Sequence, residues 1–548
     1  MTDALLDAFR AHADRTSAFI ATLDGFETWS DADGACVRYV DVSGHFLGAT
    51  EPFAPVERRA EVAVAFGRAA RAAGRRAALL PVTEGLARAL EAQGWHAQAV
   101  GREPVFDFAE LYDRGVDPLA LRPRLRGLAK KGLSVEWLTG EQLLAEPERL
   151  RALEGVHAQW QKRLRAPPLS FLSRSAPFER AAERRYGLVR QDGALVAFVG
   201  AVPAPAARAW YFADLCRTPD ARPGALELAL FEGMRALHAE GAREARLGLA
   251  ALAEVDLSVL TGPSGVLLRG AARFSRRLYD FQGNAEFKRR LQPSRWETLF
   301  VVSDTPPDLR LWRAILQAHL PSGLVHALSV ALVQRPLARF LRDDLRLEPW
   351  PTSTADLLRR TRLTTLVVAL CLSLHVARIL LPPVDALFRA SAFTPGAPTA
   401  LGLLVGPLFH NHAYHLFGDL LSFVVFGGLL ELLAGRAFFL WSLAAGLWLS
   451  NPVTWALVGG PMQTLWPEGY ANFLREVDYG SSNAIYAFVG GLATCLRQPL
   501  LLLVPFFANA VWVCLANESW LALHHHIALF AGWAAFRALF VPRRRRAP

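Results

Sequence analysis

The sequence divides near residue 350 into two halves suited to different solvents. Before that point charged residues are dense and apolar runs are short, as in a soluble α/β protein. After it come six apolar stretches, at about 363–383, 413–433, 437–458, 482–496, 499–516 and 522–541. Spanning a bilayer as a helix takes roughly 20 residues, and several of these stretches are shorter. With 52% hydrophobic residues and a mean hydropathy of +0.20, the 548-residue chain is too apolar to be wholly water-soluble. Its length predicts two to four domains.

Arginines give an independent topology. Arg359, Arg360 and Arg362 precede the first stretch, Arg436 lies between the second and third, Arg497 between the fourth and fifth, and Arg543 to Arg546 follow the sixth. All fall on one side if six helices cross the membrane and both termini are cytoplasmic. The loop 461–479, with Glu468, Glu476 and Asp478, then falls on the other side. The charged N-terminal segment MTDALLDAFRAHADR has no continuous apolar core, which argues against a secretory signal. Segment 319–341 is apolar, short and interrupted by Pro336, and is expected to be an interfacial amphipathic helix. Five scattered cysteines suggest neither a disulfide framework nor a thiolate metal site.

The second stretch, FHNHAYHLFGDLLSFVVFGGLLELLAG, places His410, His415, Asp419 and Glu431 in an apolar setting, where ionisable groups are expensive and mark function. Later stretches open with Gly480-Ser481-Ser482-Asn483 and with His524-His525-His526. On the arginine topology, Ser482, His525, His410 and His415 lie toward the same leaflet. Serine, histidine and polar donors together suit nucleophilic acyl transfer. Imidazoles and a carboxylate also suit zinc or iron, but that alternative leaves Ser482, Tyr486 and the glycines without a role.

This half resembles the rhomboid intramembrane serine proteases. His410, His415, Asp419, Gly427, Gly428, Glu431 and Gly435 stand at the intervals of the family's second core helix. Gly480, Ser482, Tyr486 and Gly490 fit its serine motif, and His525, Ala528 and Gly532 its terminal histidine motif. The resemblance implies a Ser482/His525 dyad, an oxyanion site formed by the Ser482 amide and His415, supporting roles for His410, Asp419, Tyr486 and Gly480, and no metal. It makes His524 and His526 neighbours of the base and Glu431 a tie between helices. Asn483 and Asp419 depart from the pattern, where the family has glycine and asparagine. An ionised Asp419 would oppose an oxyanion; a protonated one would donate to it, and one turned to His415 or His525 would steady an imidazolium.

In the first half, strand-like ALVAFVGAVP (194–203) and AWYFADLCR (209–217) precede helix-like ALELALFEGMRALHAEGA (225–242) and strand-like EARLGLA (244–250). That order predicts an acetyltransferase-type (GNAT) sheet. Segment 35–82 has the same character, so tandem copies enclosing a cleft are expected. Segments 101–111, 122–133, 212–227, 246–252 and 278–297 resemble the C-terminal catalytic domain of phosphatidylglycerol lysyltransferases. The resemblance implies an aminoacyl-tRNA co-substrate, a lipid hydroxyl acceptor, phosphatidylglycerol above all, and no cofactor. Asp214 would hold the ammonium of the amino acid, and Lys288 and Arg217 would polarise the ester or meet phosphate. The run Arg122, Arg124, Arg126, Lys130 and Lys131 suits either a solvated helix face or contact with tRNA or anionic headgroups.

The expected architecture is therefore a tandem GNAT-like α/β domain over 1–305, a linker with an interfacial helix over 306–358, and an all-α six-helix rhomboid over 359–548. Such a chain would sit in a bacterial inner membrane, transfer an aminoacyl group to lipid and cleave a transmembrane protein substrate. The alternative is a transferase anchored by a proteolytically inactive rhomboid-like scaffold.

Overall fold

The structure is a computed structural model describing residues 3–112, 125, 127–128, 130–164, 169–251, 281–342, 350–516 and 519–539. It divides into two compact units, Met1–Ala331 and Leu332–Pro548.

The first unit is built on one mixed sheet. Its strands are β1 (Glu27–Ser30), β2 (Cys36–Val42), β3 (His45–Gly48), β4 (Arg76–Thr83), β5 (His96–Asp107), β6 (Leu133–Thr139), β7 (Arg185–Gln191), β8 (Ala194–Ala204), β9 (Ala209–Arg217), β10 (Glu244–Arg246), β11 (Ala250–Ala251) and β12 (Arg295–Ser303). They lie in the order β1-β2-β3-β4-β12-β5-β10-β9-β8-β7-β6, with β11 beside β5. Two similar halves are visible. In each, an antiparallel meander leads into a parallel strand–helix–strand crossover: β3 to β4 through α1 (Arg59–Ala72), and β9 to β10 through α2 (Ala225–Ala239). This is the acetyltransferase-type order expected from the sequence.

Both crossover helices bury an apolar stripe on the sheet, Val62, Ala63, Phe66 and Ala70 in α1 and Leu230, Phe231, Met234 and Leu237 in α2. Each carries a glycine where a tryptophan crosses it. A Cβ on Gly67 would stand 2.7 Å from the Trp95 ring, and one on Gly233 2.7 Å from the Trp137 ring. The two halves are joined by exchange. β12, which follows the second half, inserts antiparallel between β4 and β5 of the first, while β5 pairs with β10 of the second. The expected tandem copies are thus one continuous sheet.

The expected linker 306–358 is largely ordered into the units. The amphipathic helix Leu309–His319, capped by Asp308, packs Leu311 and Ala314 into the core of the first unit. Segment 323–340 is helical, and Leu341 bridges to Leu496 within the second unit. Its π-helical turn Val330–Gln334 lies just ahead of Pro336. Proline offers no N–H to the carbonyl four residues back, and a wider turn accommodates the defect. The same pairing recurs at Ala445–Leu449 before Pro452 and Trp455–Gly459 before Pro461.

The second unit is helical. Helices occupy all six apolar stretches: α3 (Arg362–Leu380), α4 (Ala413–Ala434), α5 (436–465), α6 (Ser482–Ala493), α7 (Leu500–Ala516) and α8 (His524–Leu539). Among the described residues two of them, α3 and α4, are long and apolar enough to cross a membrane; α7 is apolar but shorter. The six apolar stretches are thus helical, and two of the six expected spans have spanning length and composition. α6 is the central element, buried at every position from Asn483 to Ala493, whereas α7 buries only Ala510. Glu431 of α4 caps α3 from outside, accepting from the amides of Leu363 (3.2 Å) and Thr364 (3.0 Å) and from the Thr364 hydroxyl (3.0 Å). These are first-turn donors with no intrahelical partner, so this buried carboxylate ties two helices together.

Close approach of α6 and α8 depends on two glycines. A Cβ on Gly490 would fall 2.0 Å from the Leu529 carbonyl oxygen, and one on Gly532 2.0 Å from that of Ala487. Both obstacles are backbone and cannot rotate away. Gly490→Leu is expected to destabilise the second unit by about 1–3 kcal/mol, the usual range for overpacking; thermal unfolding of the full chain in micelles measures it, and an unchanged midpoint would contradict this packing.

Candidate active sites

In the second unit, Ser482 is the first residue of α6 and follows Gly480, whose φ of +105° suits glycine. Ser482 Oγ lies 2.9 Å from His525 Nε2 in the first turn of α8. Tyr486, one turn further along α6, stacks on the His525 ring with centroids 4.4 Å apart and planes 29° apart. Its hydroxyl accepts from Asn509 Nδ2 at 2.6 Å, which fixes the ring. The α6–α8 contact through Gly490 and Gly532 thus sets the serine–histidine distance, and Tyr486 sets the imidazole plane.

A second cluster adjoins the first through Ser481. Asp419 Oδ2 accepts from the Ser481 amide (3.1 Å) and hydroxyl (3.2 Å) and lies 3.1 Å from His410 Nε2. His415 Nε2 is farther away, at 3.8 Å. A Cβ on Gly480 would stand 2.6 Å from His415 Cε1, so the loop before the serine runs directly against His415. Of the orientations the sequence left open, Asp419 therefore takes none in full: its main partners are His410 and Ser481. Asn483 is buried and donates to Asn451 Oδ1 at 3.4 Å. Ser481, Asn451, Asp478 and the contact of His524 with His525 were not picked out from the sequence; the histidine triplet was the only visible signal for the last.

In the first unit, Asp214 lies on β9 just after a β-bulge at Ala213. It is buried, and its Oδ2 accepts from Arg184 Nη1 at 3.1 Å, while Oδ1 accepts from Ser175 Oγ at 3.3 Å. Burial raises its carboxyl above the ordinary range, and the Arg184 guanidinium and Ser175 hydroxyl oppose that rise. His157 Nε2 sits 3.0 Å from Ser175 Oγ. Arg217 is exposed and three residues on, where strand alternation points it to the opposite face. The structure therefore does not bring Arg217 to Asp214.

Lys288 has different partners. It is buried, and Nζ donates to the carbonyls of Gly248 (2.8 Å) and Leu249 (3.2 Å). Burial lowers it to about 8, against the pull of nearby Glu103. Glu103 belongs to a buried charge cluster missed by the sequence reading, although the motif segments contained it. Its carboxylate accepts from Thr16 Oγ1 (2.5 Å) and Arg246 Nη1 (3.3 Å), and Arg246 also pairs with Glu244 and Glu297. The cluster joins β5, β10 and β12, the strands exchanged between the halves. Of the basic run, Lys130 and Lys131 are exposed, and Arg122, Arg124 and Arg126 lie outside the described residues.

Two crossover repeats with exchanged strands define the first unit as a tandem acyltransferase-type fold. The chain belongs to the family of the phosphatidylglycerol lysyltransferase C-terminal domain, which matches residues 7–303. A search of curated proteins finds no match. Among solved structures, the C-terminal domain of a putative lysylphosphatidylglycerol synthetase from Agrobacterium fabrum is similar at 20% identity, with 58% of this chain and 96% of that one covered and a TM-score of 0.49. L-PGS from Bacillus licheniformis is similar at 16% identity, with 57% and 93% covered and a TM-score of 0.46. These comparisons give no evidence for a rhomboid domain; that resemblance rests on motif spacing.

Proposed function

We propose that the first unit transfers an aminoacyl group from tRNA to the hydroxyl of a membrane lipid, lysine and phosphatidylglycerol being the pair the family suggests. Lys288 carries this reading. As a neutral amine it has two N–H donors and one lone pair. Both donors are taken by Gly248 and Leu249, which aims the lone pair elsewhere. A value of about 8 makes the neutral amine well populated at working pH. The acceptor oxygen attacks the ester carbonyl, Lys288 Nζ takes its proton, the bond to the tRNA ribose oxygen breaks, and that oxygen leaves with the proton. Asp214, anchored by Arg184, shapes the site for the amino group. Labelled lysyl-tRNA given to membranes holding the full chain and phosphatidylglycerol is expected to yield lysylated lipid, at a rate that rises through pH about 8. Lys288→Met is expected to lower that rate about 100-fold. No lipid product from any charged tRNA, or full rate in Lys288→Met, would overturn the assignment.

The second unit is proposed as a rhomboid-type serine hydrolase in a six-helix bundle with both termini cytoplasmic, cleaving a transmembrane protein. The observation behind it is the 2.9 Å Ser482–His525 contact under the stacked Tyr486. Ser482 Oγ attacks the amide carbonyl, His525 takes the proton and returns it to the leaving amine, and the Ser482 amide with His415 meets the oxyanion. One observation favours the inactive scaffold instead: a carboxylate, Asp419, lies beside the serine loop where the oxyanion would develop.

A further inference from the structure

The contacts of Ser482 and His525 continue one residue further. His524 Nε2 lies 3.3 Å from His525 Nε2, with the two rings nearly perpendicular at 89°. On the other side of the same imidazole, His524 Nδ1 is 3.8 Å from Asp478 Oδ2. Asp478 is itself fixed: Asn451 Nδ2 donates to Oδ2 at 2.9 Å, and the Asp478 backbone bridges to Phe393. His524 is buried among these groups.

A neutral imidazole carries one N–H and one lone pair. The carboxylate beside Nδ1 of His524 favours the proton there, which leaves a lone pair on its Nε2. His525 Nε2 must also present a lone pair to accept the Ser482 hydroxyl hydrogen. At rest, two unprotonated ring nitrogens, both partly negative, therefore repel one another across 3.3 Å, with the His525 lone pair turned to the Ser482 hydroxyl. A proton arriving on His525 converts that repulsion into an N–H···N hydrogen bond. The gain appears only as Ser482 loses its proton, and an interaction realised only in the transition state accelerates the step.

We propose that His524, oriented by Asp478, is a positioning residue that draws the Ser482 proton onto His525, so that the hydrolase works through a Ser482–His525–His524–Asp478 chain. The proposal rests on the hydrolase reading of the second unit. In the step, Ser482 Oγ bonds to the acyl carbon as its O–H bond breaks. The proton resides on His525 Nε2, shared with His524 Nε2, and passes to the leaving group when the acyl bond breaks. The Nδ1 proton of His524 stays beside Asp478 throughout. The other ionisable groups facing His525 are His526 of the same helix and Asp419 of α4, and Asp419 is engaged by His410 and Ser481.

The test is the labelling rate of Ser482 by a fluorophosphonate probe in the full chain in micelles, with thermal unfolding alongside. His524→Leu removes the acceptor but keeps bulk and is expected to slow labelling roughly 10- to 100-fold. His524→Gln, whose Oε1 accepts where Nε2 did, is expected to return to within about fivefold of wild type. Asp478→Asn removes the charge that sets the tautomer and is expected to cost about tenfold, which gives a second reading should His524→Leu fail to fold. Wild-type rates in the variants, equal slowing by Leu and Gln, or faster labelling in His524→Leu would overturn the proposal alone. The last would mean that His524 competes with Ser482 for the His525 lone pair. An unlabelled wild type would overturn the hydrolase reading and this proposal with it.

Discussion

Ser482→Ala is expected to abolish fluorophosphonate labelling of the second unit, and His525→Ala to slow it by on the order of 10,000-fold. Members of a nucleophile–base pair act as a unit, so losing either costs nearly as much as losing both. The 2.9 Å Oγ–Nε2 contact makes His525 the only group placed, among the described residues, to take the Ser482 proton directly. Ser481 offers an internal control. Its hydroxyl is also close to a histidine, 3.4 Å from His410 Nε2, but it donates to Asp419 and is buried. Labelling that survives Ser482→Ala and disappears with Ser481→Ala would move the nucleophile by one residue and undo the α6–α8 account of the site. Labelling absent from the wild type as well would leave the scaffold reading in possession of the second unit.

What the sequence made legible follows from how local each signal is. The crossover β9–α2–β10 was readable because its apolar runs change period from strand to helix within forty residues. The strand exchange was not, because β12 pairs with β4 across more than 200 residues and no local pattern encodes a partner. In the second unit, Gly490, Gly532 and Tyr486 drew notice only through motif spacing, and the structure places backbone approach at the two glycines and the Tyr486 ring on His525. Asp478 was visible only as a loop acid, since its relation to His524 exists only after the loop folds back. Asp214 has partners that no motif marks: one of its oxygens is engaged by Arg184 and the other by Ser175.

That buried pair gives the other large effect. Arg184 and Asp214 have side chains 1% and 4% exposed, 3.1 Å apart, and Arg184 also donates to the carbonyls of Glu179 and Ala176 at 2.8 Å each. Removing one member strands the other as an uncompensated charge, which costs about 3–5 kcal/mol, whereas replacing both by apolar groups is often close to neutral. Arg184→Met is therefore expected to lower the stability of the first unit by about 3 kcal/mol near pH 7, and Arg184→Met with Asp214→Leu by much less. The pH dependence has a definite sign. Burial already holds the Asp214 carboxyl above its ordinary value, and loss of the guanidinium raises it further. A carboxyl raised in the folded state is fully compatible with folding below its unfolded value and becomes costly as pH rises through its folded value. The Arg184→Met penalty should thus grow as pH rises above the raised folded value that Asp214 has in the wild type, with a slope approaching about 1.4 kcal/mol per pH unit, until Asp214 ionises in the folded variant. Hydrogen exchange of β9 in the full chain reads this directly. A penalty independent of pH would mean that Arg184 acts through its carbonyl contacts and its packing on Phe19, with the Asp214 charge secondary. A double variant as unstable as the single one would point the same way.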